Sequence, residues 1–149
     1  MSLLQLPLRA VKVFLYFVGK PRDAMLNGFA AEFVKRTTRF APCEMREIEP
    51  AKFDLWAKHP TARKIFLDPA GKQMDSEAFS RIFAKHEEIG RDLVFLVGGH
   101  DGLTADQRAR ADQLLSLSPM TFPHELARAI LAEQIYRAFT MLRGHPYPR

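Results

Sequence analysis

The residues Gly98-Gly99-His100-Asp101-Gly102 follow an unbroken apolar run, Leu93-Val94-Phe95-Leu96-Val97. A buried strand that empties into glycines brings bare backbone N–H groups to the rim of a sheet, where cofactors bind. The same loop carries an imidazole and a carboxylate. Asp101 there is open to two readings, an acid–base group or a solvated loop residue. The glycine spacing is not that of the G-x-G-x-x-G fingerprint, and no Lys-Ser/Thr pair follows it. Dinucleotide binding and nucleotide hydrolysis therefore find no support.

Other candidate chemistry fails on spacing. His124-Glu125 opens like a zinc-protease helix, but the second ligand position is Arg128. The histidines His59, His86, His100, His124 and His145 have no ligand-like spacing, so no metal site is expected. Ser116 and Ser118 lack a nucleophile elbow. Cys43 is the sole cysteine, which excludes an internal disulfide and suits a reducing compartment. One further stretch, Ser116 to Pro123, reads as neither helix nor ordinary loop: Leu117, Met120 and Phe122 alternate with prolines and small polar residues.

The elements that must position these residues follow from periodicity. Residues 1–10 read as a flexible leader. Val11–Val18 reads as a buried strand, broken by Gly19-Lys20-Pro21. Residues 23–39 show a helical rhythm in Met25, Phe29, Ala30, Phe33 and Val34, with Glu32 and Arg36 spaced to pair. Cys43–Ile48 alternates as a second strand, and a short helical turn is expected around Trp56. Lys64–Asp68 is a third strand, ending in a turn at Asp68-Pro69-Ala70-Gly71. A helix capped by Asp75 or Ser76 runs to about Glu88 and stops at Gly90. After the fourth strand, Leu93–Val97, a helix over Ala105–Leu115 is expected, with Thr104 and Gln107 as a capping box. The last helix runs from Pro123 or His124 to Leu142 and is stopped by Gly144. Alternating strands and helices predict an α/β layer fold with a mostly parallel sheet.

With 149 residues the chain is expected to form one domain. The net charge of +5 is compatible with an anionic partner such as RNA. Basic residues cluster early, at Arg9, Lys12, Lys20, Arg22, Lys35, Arg36 and Arg39, where, without a motif, a solvated helix face is the better reading. The apolar run Val13–Val18 is too short to span a bilayer and no cleavage site follows it, so a cytoplasmic protein without membrane attachment is expected.

The second half of the chain carries a specific ordered set of motifs. Gly90-Arg91-Asp92 leads into Phe95-Leu96-Val97-Gly98-Gly99 and Gly102-Leu103. Then come Leu115-Ser116-Leu117-Ser118-x-Met120-Thr121-Phe122-Pro123-His124, Arg128-x-x-Leu131-x-Glu133-Gln134-Ile135-Tyr136-Arg137-Ala138 and His145-Pro146-Tyr147. This series resembles the RlmH family, the pseudouridine-N3 methyltransferases of 23S ribosomal RNA, minimal members of the SPOUT superfamily. The resemblance implies an α/β knot with helices on both faces of a parallel sheet and a trefoil knot in the C-terminal half. It also implies a homodimer, S-adenosyl-L-methionine as methyl donor, ribosomal RNA of the assembled ribosome as partner, and no role for DNA. Carried over residue by residue, the cofactor contacts are Leu67, Gly99, Ser118, Pro119, Met120, Thr121, Phe122 and Pro123. The catalytic candidates are Asp101, where the family usually has glutamate, and His145 and Tyr147 in the tail.

The chain departs from the family in three places. The stretch between Ile48 and Leu67 is shortened, the N-terminus is extended, and Pro148 stands where a histidine usually follows the tyrosine. These departures keep open another RNA target, or a non-catalytic relative that binds the cofactor or RNA.

Overall fold

The structure is a computed structural model and describes residues 11–147. The leader at 1–10 and Pro148 lie outside the described residues. In chain order the elements are β1 (Val13–Val18), α1 (Ala24–Thr37), β2 (Cys43–Ile48), α2 (Leu55–Lys58), β3 (Arg63–Gln73), α3 (Ser76–Ile89), β4 (Leu93–Val97), α4 (Ala105–Arg110), β5 (Gln113–Ser116) and α5 (His124–Arg143).

The strands form one sheet in the order β2-β1-β4-β3-β5. Every neighbouring pair is parallel. β4 is central and all of its side chains are buried, as a strand covered on both faces requires. Residues of alternate parity serve the two layers. Val13, Leu15 and Phe17 of β1 and Leu93, Phe95 and Val97 of β4 join a core with α1, α3 and α5. Tyr16, Val94, Leu96 and Phe66 face the other way, toward Leu55 of α2 and Leu103. The expectation of helices on both faces is met.

Local chemistry sets the helix ends. Asp23 caps α1 by accepting from Leu26 N, and Asp75 caps α3 by accepting from Ala78 N. The Thr104–Gln107 capping box forms as expected. Gly90 and Gly144 end α3 and α5 in the left-handed region, at φ 69° and 65°.

Two expectations are corrected. The helix expected over Ala105–Leu115 stops at Arg110, and Gln113–Ser116 is instead the edge strand β5. β3 does not end at Asp68. Its pairing with β5 shifts register between Leu67 and Lys72, both opposite Leu115, so residues 68–71 bulge outward and the strand resumes. Met25 and Phe29 keep the helical rhythm but are exposed, by 85% and 47%. No helix among the described residues is long and apolar enough to cross a membrane.

Candidate cofactor pocket

A pocket of about 420 Å³ opens at the carboxyl ends of β3, β4 and β5, the usual place for a ligand in a parallel α/β sheet. Leu67, Asp68 and Pro69 close one side, and Val97 to His100 with Gly102 form the floor. Leu115 to Ser118 and Met120 to His124 wrap the third side.

Each wall is built by its own local chemistry. In the glycine loop, Gly102 N donates to Gly99 O at 2.9 Å, closing a tight turn with His100 and Asp101 at its corner. Gly102 has φ +74°, where a side chain is strained. A Cβ on Gly98 would lie 2.6 Å from the Gly102 carbonyl carbon, so only glycine permits this closure. Gly99 is less constrained, since its Cβ would stand 3.2 Å from Val18 O, on the side of β1. In the wrapping segment, Ser116 Oγ donates to Ser118 O at 2.9 Å and Met120 N donates to Ser118 Oγ at 2.9 Å. Those serines shape the loop, which explains their presence without a nucleophilic role.

The candidate residues separate into two groups. Leu67, Gly99, Ser118, Met120, Thr121, Phe122 and Pro123 all line the pocket, whereas Pro119 does not. Met120 is 74% exposed and so forms part of the mouth. Asp101 is exposed at the turn, between the lining residues His100 and Gly102, but does not itself line the pocket.

His145 and Tyr147 lie elsewhere. α5 begins at the pocket with His124, and a helix of its length extends about 30 Å by rise per residue. The tail follows its far end. Tyr147 folds back along it, donating its hydroxyl to Glu133 at 2.8 Å and meeting the Tyr136 ring edge-on at 4.9 Å. Burial, followed by the hydrogen bond to Glu133, pushes the Tyr147 phenol up to about 12. His145 is exposed, with its ring edge-on to Phe40. Neither His145 nor Tyr147 lines the pocket of its own chain.

Sequence reasoning missed Asp68 and His124, both of which line the pocket. Asp68 Oδ2 accepts from Arg108 Nε at 2.7 Å and Oδ1 accepts from Ala70 N at 2.8 Å. Burial raises the Asp68 carboxyl, but these bonds together outweigh it and hold it below the ordinary carboxylate range. An acidic residue at the end of a buried strand, just before a proline, was the available signal.

Sulfonium cofactors suit such a cavity. Its apolar walls (Leu67, Val97, Leu115, Leu117, Phe122) accept a flat heteroaromatic ring, and the glycine loop exposes backbone groups. Asp68 places an ionised carboxylate where a cationic group would be stabilised. Among the described residues, no cluster of side chains could hold a metal ion.

Comparison with known proteins agrees with this geometry. Residues 11–148 match the family described as "Predicted SPOUT methyltransferase". The chain is 66% identical over 139 residues to the ribosomal RNA large subunit methyltransferase H of Solibacter usitatus, spanning 93% of this chain and 100% of the relative. The protein of the same name from Sorangium cellulosum is 43% identical over 136 residues, spanning 87% of this chain and 94% of the relative. Among solved structures, a putative RNA methyltransferase from Bacillus anthracis shares the fold with TM-score 0.59 at 16% identity, covering 86% of this chain and 94% of that one. The SpoU methyltransferase AviRb from Streptomyces viridochromogenes, in complex with AdoMet, shares it with TM-score 0.51 at 14% identity, covering 91% of this chain and 61% of that one. With a parallel sheet, a pocket at its carboxyl edge and full-length relatives in agreement, the chain belongs to the SPOUT methyltransferases, and within them to the ribosomal RNA large subunit methyltransferase H family.

Proposed function

We propose that this protein is an S-adenosyl-L-methionine-dependent methyltransferase acting on N3 of a pseudouridine in 23S ribosomal RNA, as a cytoplasmic homodimer. The observation that carries the reading is the pocket built from the glycine loop and the Ser116–Pro123 wrap, in a chain whose relatives bear the rRNA methyltransferase name over their full length.

In this reading Leu67, Gly99, Ser118, Met120, Thr121, Phe122 and Pro123 hold the cofactor, with Pro119 fixing the shape of the wrap. Bound there, the cofactor supplies an electrophilic methyl group, so the protein's work is chiefly positioning and removal of the N3 proton. Asp101, exposed beside the pocket, is the proposed proton acceptor. Tyr147, whose phenol stays protonated at neutral pH, orients the substrate and does not take its proton.

Two features support a homodimer. His145 and Tyr147 do not line the pocket of their own chain and would serve the pocket of a second copy. Met25 and Phe29 on α1 offer an exposed apolar face for that contact. A further feature is compatible with the knot: a Cβ on Gly71 would lie 2.5 Å from the Leu114 carbonyl carbon, so the 68–71 bulge packs closely against β5.

The test is mass spectrometry of rRNA from cells lacking the gene, with methylation restored by adding the protein and cofactor to those ribosomes. Unchanged N3-methylation in the deletion strain would end this reading. Transfer to another RNA in preference to ribosomes would favour a different target, and the shortening of the 49–62 stretch to the four-residue helix α2 leaves room for one.

A further inference from the structure

We infer that a basic groove at the far end of the α1–α5 layer binds the phosphate backbone of the RNA substrate. The inference rests on the function proposed above and assigns the substrate a second contact surface, outside the cofactor pocket. The groove encloses about 570 Å³ and is lined by Glu32, Lys35, Arg36, Thr38, Arg39 and Tyr136.

Three arguments carry it. The first is charge. Arg36 Nε is held by Glu32 at 2.8 Å, which neutralises that pair. Lys35 and Arg39 flank it, are exposed, and have no carboxylate within ion-pair distance among the described residues. Two free cations one helical turn apart match the repeating charge of a nucleic-acid backbone. Their place at the end of α1 also favours cations through the helix dipole, but that effect calls for charge alone and not for a cavity.

The second argument is shape. Tyr136 is 5% exposed, so it forms a floor and offers no face for base stacking. A groove with cationic walls and a covered aromatic floor reads backbone, not sequence.

The third is continuity with the tail. Tyr136 packs against Tyr147, and Phe40, just after Arg39, packs against His145. α1 runs from the pocket edge of the sheet to the opposite edge, about 20 Å by rise per residue. The groove therefore lies beside the tail and apart from its own chain's pocket. Whatever RNA the tail touches passes over Lys35 and Arg39.

The experiment uses the full chain with ribosomes from cells lacking the gene, comparing wild type with the double variant Lys35→Ala/Arg39→Ala. The variant should bind ribosomes about tenfold more weakly and raise KM with little change in kcat. The slope of log affinity against log salt should shrink by about 1.4 to 1.8, the release expected for two lost phosphate contacts. Titration with S-adenosyl-L-methionine should be unchanged, which separates this surface from the pocket. A Lys35→Arg/Arg39→Lys variant, keeping both charges, should restore binding and exclude a folding defect. A double variant with wild-type salt slope and KM would overturn the groove while leaving the enzyme reading intact. A wild-type protein that binds ribosomes but transfers no methyl would overturn the enzyme reading and leave the groove standing.

Discussion

Arg108 reaches across from α4 to donate its Nε to Asp68 Oδ2 at 2.7 Å, tying the helix that follows the glycine loop to the bulge of β3. The carboxylate is nearly covered, at 5% side-chain exposure, while the guanidinium is half exposed, so the two partners are not equivalent. Removing Arg108 leaves a buried carboxylate with only the Ala70 N–H. Arg108→Ala should cost about 1–3 kcal/mol in urea unfolding. The pH dependence has a definite sign. The Asp68 carboxyl titrates lower in the folded than in the unfolded chain, so its contribution is complete above the ordinary value of 3.8 and is lost as pH falls through the lowered folded value. Wild-type protein should lose its advantage over Arg108→Ala across that acid window. A difference that stayed constant with pH would refute the coupling.

Glu125 makes a second acid-sensitive tie. Its Oε1 accepts from Arg22 N, Asp23 N and Asn27 Nδ2, joining the start of α5 to the start of α1. These donors, the Arg22 backbone N–H foremost, lower its carboxyl from 4.5 to about 2. The tie is fully present above pH 4.5 and fades as pH falls toward 2. Glu125→Gln should move the acid-unfolding midpoint upward, read by circular dichroism. An unmoved midpoint would show that the three donors find equal partners in water.

Gly71 should tolerate no side chain. Its Cβ would meet Leu114 and Leu115 main-chain atoms at 2.5–2.7 Å, and backbone cannot rotate away as a side chain would. Gly71→Ala should destabilise by about 1–3 kcal/mol, the usual range for overpacking. Gly99→Ala, at 3.2 Å from Val18 O, should cost less. Equal midpoints for the two variants in urea would contradict a tight approach of Gly71 to the β5 backbone.

The irregular pairing of β3 with β5 also marks the limit of what is legible in the chain. β1, β2, β4 and the long helices followed from residue type and period, because burial on one or both faces leaves a pattern. β5 did not. Gln113-Leu114-Leu115-Ser116 has no β-branched residue, and its two leucines continue the helical phase of α4. Pairing with β3 overrides that preference. Pro69 inside β3 reads as a strand end, and is accommodated because the register slips there. For the site, the glycine loop and the 116–123 wrap were visible as breaks in periodicity and as family motifs. Their meeting in one pocket, and the distance from the tail, depend on three-dimensional closure that no local pattern records. The outward turn of Met25 and Phe29 was equally hidden, since a helical rhythm does not say which apolar face finds a partner.

Phe29 should report on the proposed homodimer. It is 47% exposed and touches Phe33 at 4.8 Å between centroids, so one edge is packed and the other is free. Phe29→Asp places a charge on the proposed contact face. Sedimentation should find monomers for the variant and dimers for the wild type, with the helical signal kept. The variant should also lose methyl transfer, because each pocket would lack a neighbour's tail. A monomeric variant with full activity would mean that His145 and Tyr147 act within one chain or not at all.

Asp101 carries the sharpest prediction for the chemistry. Three titratable side chains line the pocket: Asp68, His100 and His124. Asp68 is engaged by Arg108 and Ala70, which leaves it poorly placed to take a proton. Asp101 is exposed at the turn closed by the Gly102 N to Gly99 O bond, beside the pocket residues His100 and Gly102. Asp101→Asn keeps the shape of the turn and removes the proton acceptor. It should lower kcat by about 10²–10⁴, the usual contribution of general acid–base catalysis, with cofactor titration unchanged. Retained kcat would shift the role to the pocket imidazoles. His124→Gln and His100→Gln, measured in the same assay, would then divide it between the fixed start of α5 and the exposed corner of the glycine loop.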